Sequence, residues 1–248
     1  MTPAMNEIAA TLPGQLDERF VRIDWSAFGT TLDAQGHATL PALLTPPECV
    51  SLGELYEDAA LFRRRIVMER HAYGVGEYKY FAYPLPPLVA ELRNRLYRRL
   101  APLANAWAAH LAAKSIYPPD LDAFLAHCHA GGQIKPTPLL LRYETGGFNC
   151  LHQDLYGAIA FPLQATILLS KPGEDFAGGE FLLVEQRPRA QSRGAVVPLA
   201  QGDAVIFANA YRPVAGKRGT YRVNLRHGVS TVLAGRRATL GIIFHDAA

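Results

Sequence analysis

The sequence predicts an α+β protein in which a β-barrel or a double-sheet jelly roll forms the core and helices pack on one side of it. Apolar residues recur at helical spacing in the first half of the chain, whereas short β-type runs separated by glycine- and proline-rich turns fill the second half. With 49% hydrophobic and 19% charged residues over 248 positions, the chain is expected to be folded. We expect a single domain over 1–248, with a mainly helical part over 1–135 and a jelly-roll core over 139–248.

Three helices are predicted in the N-terminal part. The first begins at Thr45-Pro46-Pro47-Glu48, where a helix-capping threonine precedes two prolines and an acidic residue. The second follows Pro86-Pro87, because leucines recur at helical spacing from Leu88 to Leu103. The third covers Leu121 to His129. Between the first two helices, the glycine- and tyrosine-rich segment from Arg70 to Pro84 predicts a loop or irregular hairpin of the kind that lines ligand clefts.

The C-terminal part is predicted to be a series of short strands. Turn residues such as Gly146-Gly147, Pro172-Gly173 and Gly178-Gly179 separate them. The predicted strands are Leu139 to Tyr143, Ala165 to Leu169, Gly179 to Val184, Ala195 to Leu199, Ala204 to Phe207, Tyr221 to Val232 and Ala238 to Phe244.

Charge, cysteine content and hydropathy narrow the functional classes. The net charge of +3 is too small to indicate a nucleic-acid partner by itself. Cys49, Cys128 and Cys150 match no zinc or disulfide spacing, so we expect buried thiols in a reducing compartment. We find neither the pattern of a signal peptide nor an apolar stretch of bilayer length, and we therefore expect a cytoplasmic protein without a membrane partner.

One group of residues could ligate a metal. His152 and Asp154 lie two positions apart at the end of a predicted strand, so both side chains point to one face. His227 ends a distant predicted strand. Two imidazoles and one carboxylate can occupy one face of an octahedral metal and leave the other positions open, an arrangement that suits Fe(II) and O₂. A second adjacent pair, His245-Asp246, lacks a downstream partner, and we expect it to be structural.

Several segments resemble known oxygenases. The segment from His227 to Arg237 resembles the H-x-V-x-x-V-x-x-G-x-R stretch of 2-oxoglutarate/Fe(II) dioxygenases. Arg142-Tyr143-Glu144-Thr145-Gly146 and Leu151-His152-Gln153-Asp154 are similar to AlkB-type nucleic-acid dealkylases. Phe176 to Phe181 and Gln201 to Phe207 are similar to prolyl-hydroxylase-like members. A bacterial oxygenase family described as acting oxidatively on damaged DNA is also similar, through the segments Leu151 to Gly157, Arg222 to Ser230 and Gly241 to Asp246.

The resemblance implies a double-stranded β-helix, the jelly roll of this superfamily, and a role for each site residue. His152, Asp154 and His227 are expected to bind Fe(II), leaving positions for 2-oxoglutarate and O₂. Arg237 is expected to bind the distal carboxylate of 2-oxoglutarate with its planar guanidinium. Arg236 is the alternative, but strand alternation directs it to the opposite face. Tyr143 and Asn224 are expected to donate further hydrogen bonds to the cosubstrate.

The implied activity is oxidative decarboxylation of 2-oxoglutarate coupled to hydroxylation of a substrate C–H bond, most consistent with dealkylation of damaged nucleic acid. Hydroxylation of a peptide, amino acid or small metabolite is the first alternative, and a cupin-like metal-binding isomerase or binding protein is the second. A nucleic-acid substrate calls for a basic groove and stacking aromatic residues. The candidates are Arg63, Arg64, Arg65, Arg70, Lys79, the tyrosines at 73, 78, 80 and 83, Arg212, Lys217 and Arg218.

Overall fold

The computed structural model of this chain describes residues 13–113, 116–217 and 219–248. The α-helices within them are α1 (Pro13–Arg22), α2 (Trp25–Gln35), α3 (Pro46–Glu54), α4 (Pro87–His110) and α5 (Leu121–Ala130). The three helices expected from the sequence are α3, α4 and α5. The Thr45 hydroxyl accepts a hydrogen bond from the Glu48 amide while the Glu48 carboxylate accepts one from the Thr45 amide, so the predicted first turn of α3 is a capping box.

The strands are numbered in chain order. They are β1 (His37–Leu40), β2 (Phe62–Val67), β3 (Gly74–Val75), β4 (Glu77–Phe81), β5 (Leu139–Tyr143), β6 (Phe148–His152), β7 (Leu163–Leu168), β8 (Phe176–Gly178), β9 (Phe181–Gln186), β10 (Arg193–Val197), β11 (Ala204–Ala208), β12 (Tyr211–Gly216), β13 (Gly219–Val229), β14 (Val232–Gly235) and β15 (Arg237–Ile243).

Two antiparallel sheets make up the jelly-roll core. The major sheet has seven strands in the order β1-β11-β7-β15-β5-β4-β2. The minor sheet has the order β10-β9-β13-β6-β3, with β12 paired to β13. Strands β8 and β14 form a separate two-stranded ribbon. One cavity is lined by residues of both sheets, so the sheets face each other as the predicted fold class requires.

The N-terminal half contributes more β-structure than its sequence suggests. β1, β2 and β4 all belong to the major sheet, so this half supplies strands to the core in addition to its helices. In β2, three consecutive arginines hide the alternation of buried and exposed positions by which a strand is identified. β2 acquires its structure from its pairing with β4.

The segment expected to be a loop or irregular hairpin joins the two sheets. β3 pairs with β6 of the minor sheet, and β4 pairs with β5 of the major sheet, so the segment 74–81, which we call the strap, crosses between them. Gly74 has a φ of +135°, and a Cβ there would lie 2.3 Å from the Phe148 carbonyl oxygen. The tight crossing therefore requires glycine at this position.

Helix α4 fixes the outer layer to the major sheet. Its leucines at 92, 96 and 100 are fully buried in one cluster with Leu140, Ile167, Ile206 and Leu240 of the sheet. Each such leucine contributes roughly 1.5–3 kcal/mol through burial. At the end of the chain, Asp246 is buried and accepts a 2.8 Å hydrogen bond from Arg93 of α4. The structural role expected for the His245-Asp246 pair agrees with this contact.

None of the described helices is long and apolar enough to span a bilayer.

Candidate active site

The structure brings His152, Asp154 and His227 together. One ligand atom from each lies within 4.8 Å of the others, although the residues come from separate strands and a loop. His152 and His227 are direct register partners across β6 and β13, and their ring centroids lie 4.1 Å apart. Asp154 follows the end of β6, and its Oδ2 is 3.2 Å from Nε2 of His227. His152 and Asp154 are neighbours in the sequence, and the pairing of β13 with β6 brings the distant His227 to them.

Neighbouring groups orient two of the three side chains. The Nδ1 atom of His152 is 2.7 Å from the Cys150 carbonyl oxygen, which accepts its proton and leaves Nε2 with a free lone pair for a metal. The Tyr156 hydroxyl donates a 2.7 Å hydrogen bond to Oδ1 of Asp154. Burial raises the pKa of Tyr156, so its hydroxyl remains a donor. The sequence motifs assign no role to Tyr156, although it lies only two positions after Asp154.

The carboxylate is kept ionised. Burial by itself raises the pKa of Asp154, but the hydrogen bond with His227 and the two imidazoles hold that pKa well below its ordinary range. Burial lowers the pKa of His227, which favours the neutral ring. A carboxylate and two neutral imidazoles are the donor set that a first-row divalent metal takes in a facial arrangement. The residues present therefore fit Fe(II).

Arg237 provides a buried cation on the same cavity. It begins β15, is 2% exposed, and its Nε and Nη1 atoms have no hydrogen-bond partner among the described residues. Burial lowers the pKa of Arg237 to about 10, so the guanidinium remains charged at neutral pH. A buried guanidinium with unused donors is destabilising until an anion binds it. This side chain fits one carboxylate of a dicarboxylic acid.

Tyr143 lies next to this guanidinium. It is the register partner of Arg237 across β5 and β15, and the Arg237 guanidinium carbon is 5.8 Å from its ring centroid. Burial raises the pKa of Tyr143 to about 12, so the hydroxyl keeps its proton. The Asn149 amide donates a 3.3 Å hydrogen bond to that hydroxyl. The sequence motifs assign no role to Asn149, because its position beside Tyr143 depends on the path of the chain through the turn at Gly146-Gly147.

A single cavity contains these groups. Its volume is about 360 Å³, and the three candidate ligands, Tyr143 and Arg237 all line it. Apolar residues of the major sheet make up much of the remaining wall. Tyr73 and Tyr78 of the segment 70–84 also line the cavity, which agrees with the expectation that this aromatic segment borders a cleft.

Two residues considered for the cosubstrate lie elsewhere. Asn224 is exposed on β13, where strand alternation directs it away from the inward-facing His227, so it does not line the cavity. Arg236 is 61% exposed and its Nε donates a 2.8 Å hydrogen bond to Glu144. The structure thus separates Arg236 from Arg237 as alternation predicts, and it does not place Asn224 at the site.

The candidate basic groove is only partly assembled. Arg212 is buried and paired with Glu185, and Arg65 is paired with Glu77, so neither is free for a phosphate. Arg64 and Arg70 remain exposed. Arg218 lies outside the described residues.

Among the cysteines, Cys49 and Cys128 are buried as expected, whereas Cys150 is exposed and lines the cavity.

Sequence comparisons identify relatives over most of the chain. Residues 76–247 match the family model Oxygenase-NA, described as "Oxygenase, catalysing oxidative methylation of damaged DNA". The chain is also 47% identical over 194 residues to an uncharacterized protein of Mycobacterium tuberculosis strain H37Rv, with 76% of this chain and 83% of that protein covered.

Structural comparisons find the same fold at low sequence identity. An oxidoreductase of the 2OG-Fe(II) oxygenase family from Burkholderia pseudomallei aligns with a TM-score of 0.53 and 17% identity, covering 92% of this chain and 94% of that one. A Pseudomonas putida prolyl-4-hydroxylase aligns with a TM-score of 0.52 and 14% identity, covering 90% of this chain and 100% of that one. These similarities confirm the predicted fold class.

Proposed function

The chain belongs to the oxygenase family described as catalysing oxidative methylation of damaged DNA, and on this premise we propose that it uses Fe(II), 2-oxoglutarate and O₂ to dealkylate damaged nucleic acid. The observation that carries the proposal is the buried Arg237, whose Nε and Nη1 atoms have no hydrogen-bond partner among the described residues, on the same cavity as the His152, Asp154 and His227 group. A metal site alone fits many enzymes. A metal site beside a buried cation with unused donors fits a metal-chelating dicarboxylate.

Each residue has a defined task in this proposal. His152, Asp154 and His227 hold Fe(II) and leave its remaining positions open. Arg237 binds the C5 carboxylate of 2-oxoglutarate, and the Tyr143 hydroxyl donates a hydrogen bond to the same cosubstrate. When bound, Fe(II) with 2-oxoglutarate activates O₂, so that one oxygen atom enters succinate and the other enters a substrate C–H bond.

The substrate class rests on the cavity and the family. Tyr73 and Tyr78 offer flat aromatic faces beside an apolar wall, which suits a base taken out of its stack. Arg64 on β2 and Arg70, just after β2, are exposed and can contact phosphate groups. Hydroxylation of an N-methyl group gives a hemiaminal, which releases formaldehyde and restores the N–H group.

A hydroxylase of a peptide or small metabolite is the second candidate. The overlap with a prolyl-4-hydroxylase favours it at the level of fold only. A cupin-like isomerase or binding protein has no need of the buried guanidinium at Arg237, and its chemistry does not require 2-oxoglutarate.

The test follows succinate and formaldehyde together. Purified protein with Fe(II), ascorbate and air is incubated with 2-oxoglutarate and either N-methylated or unmethylated single-stranded oligonucleotide of one sequence, and a proline-containing peptide serves as the comparison. We expect formaldehyde and succinate in equal amounts with the methylated oligonucleotide, and neither from Asp154→Ala. Coupled succinate release with the peptide alone would favour the hydroxylase. No 2-oxoglutarate consumption under any condition would contradict the oxygenase assignment.

A further inference from the structure

One edge of β13 has a gap in its strand pairing beside the candidate metal site. β9 pairs with residues 224–229 along the other edge, so β12 and β6 share this one. β12 pairs with residues 219–224, and β6 pairs at 227 and 229. In the described part of the chain, no strand therefore pairs with Leu225 on this edge. A backbone N–H or C=O group that points into such a gap is destabilising unless another group bonds it.

Two neighbours fill the gap. The Leu225 N–H donates a 2.8 Å hydrogen bond to the carbonyl of Ala210, which immediately precedes β12. The side-chain amide of Gln153 donates hydrogen bonds of 2.8 Å each to the carbonyls of Leu225 and Ala210. An amide nitrogen carries two protons, so it can donate to both. The Gln153 side chain thus takes the place of a neighbouring strand, and it links the loop after β6 to β13 and to the start of β12.

The position of Gln153 connects this link to the candidate ligands. Gln153 lies between His152 and Asp154, and Leu225 precedes His227 by two positions. Strand pairing with β13 holds His152, but β6 ends at that residue and Asp154 lies beyond it. The Gln153 amide holds the loop against β13 where strand pairing has stopped.

We propose that Gln153 is a positioning residue whose amide fixes the placement of Asp154 relative to His227. The two hydrogen bonds join the loop that carries the carboxylate to the strand that carries the second imidazole. They therefore set the spacing in which the three side chains hold a metal. This inference rests on the proposed function, because it assumes that a metal occupies the site.

A positioning role and a merely structural role give different expectations. Loss of the amide removes a donor from the Leu225 carbonyl, so both roles predict a lower unfolding temperature. Only the positioning role predicts that Asp154 moves relative to His227. A displaced ligand weakens metal binding and changes the symmetry of the coordination, and groups that orient ligands commonly change metal affinity by about 10–100-fold.

The experiment measures metal binding without turnover. Isothermal titration gives the Mn(II) dissociation constant, and the electron paramagnetic resonance spectrum of bound Mn(II) reports the symmetry of its coordination. The variants are Gln153→Met, which keeps the length of the side chain but has no N–H donor, and Gln153→Asn, whose amide is one methylene shorter and cannot reach both carbonyls.

Gln201→Met is the matched control. The Gln201 amide also donates a 2.8 Å hydrogen bond to a backbone carbonyl, that of Leu169, and Gln201 does not line the cavity. The same substitution there removes an equivalent hydrogen bond at a distance from the candidate ligands. Thermal unfolding shows whether each variant is folded and how far its unfolding temperature falls.

We expect Gln153→Met to bind Mn(II) about tenfold more weakly than the unaltered protein and to give an altered spectrum. Gln153→Asn should show the same changes to a smaller degree. Gln201→Met should lower the unfolding temperature but leave the Mn(II) affinity and spectrum unchanged.

Unchanged Mn(II) affinity and spectrum in folded Gln153→Met would overturn the role of Gln153, as would an equal loss of affinity in Gln201→Met. Gln153→Asn decides the question by the same criteria if Gln153→Met does not fold. Failure of the unaltered protein to bind Mn(II) would instead count against the proposed function itself.

Discussion

Adjacent arginines at 236 and 237 have opposite environments. Arg237 is buried with unused donors, whereas Arg236 is exposed and paired with Glu144. Arg237→Gln removes a buried cation that we propose binds the C5 carboxylate, so we expect about 100-fold weaker binding of 2-oxoglutarate. Arg236→Gln is the matched control and should change the affinity less than twofold. Titration of 2-oxoglutarate into the Mn(II)-loaded proteins measures both, and an equal loss in the two variants would contradict the assignment.

Tyr156 acts on the metal through Asp154. Its hydroxyl donates to Oδ1 of Asp154, and removal of a partner of a ligating carboxylate commonly lowers metal affinity by about 10–100-fold. We therefore expect Tyr156→Phe to bind Mn(II) about 10–100-fold more weakly than the unaltered protein. The variant should remain folded, because the phenylalanine ring fills the same space. Tyr83→Phe removes a hydroxyl that bonds Asp246 outside the cavity and serves as control. Equal Mn(II) affinities in Tyr156→Phe and the unaltered protein would exclude this role.

At the level of single elements, the sequence predicts helices better than strands. Helix α3 was predictable because Thr45, the two prolines and Glu48 specify its first turn locally. Strand β2 was not, because its arginines conceal the alternation and its structure depends on β4. The same distinction applies to the site. Motifs in the chain identify His152, Asp154 and His227, whereas Asn149 reaches the site only through strand pairing that no local pattern encodes.

The capping box of α3 predicts a pH-dependent contribution to stability. Burial raises the pKa of Glu48, but hydrogen bonds from Arg19 and Thr45 outweigh it, and the pKa lies below its ordinary value. A lowered pKa means that this stabilisation is complete above the ordinary glutamate pKa and is lost as the pH falls through the lowered value. We expect Glu48→Gln to reduce the free energy of unfolding by about 2 kcal/mol at pH 7.

Urea denaturation at several pH values tests this contribution. The difference between Glu48→Gln and the unaltered protein should shrink as the pH falls from the ordinary glutamate pKa to the lowered native pKa, because the unfolded chain takes up a proton at this position before the native protein does. Glu54→Gln, an exposed change on the same helix, is the control and should show little difference at any pH. A pH-independent difference for Glu48→Gln would show that side-chain shape, and not charge, is responsible.

For the whole molecule, we propose that the chain folds as one unit and that residues 139–248 cannot fold alone. Without the N-terminal half, β5 loses its partner β4, β11 loses its partner β1, and the major sheet loses the apolar face of α4. Exposed strand edges and an uncovered sheet favour aggregation over folding. Circular dichroism and amide NMR dispersion of the 139–248 fragment should therefore show no cooperative fold, and a cooperative thermal transition would contradict this expectation.

The register of β6 against β13 has a consequence for motion. His152 and His227 are opposite each other on these strands. On its other edge β13 pairs with β9 at six positions, whereas β6 pairs there with the short strand β3 at two, so β6 is the less anchored of the two. An ion shared by both imidazoles would act as a cross-link that stops the strands from sliding past one another. Amide hydrogen exchange along Phe148–His152 should therefore be slower in the Mn(II)-loaded protein than in the metal-free protein. This measurement needs no knowledge of the substrate.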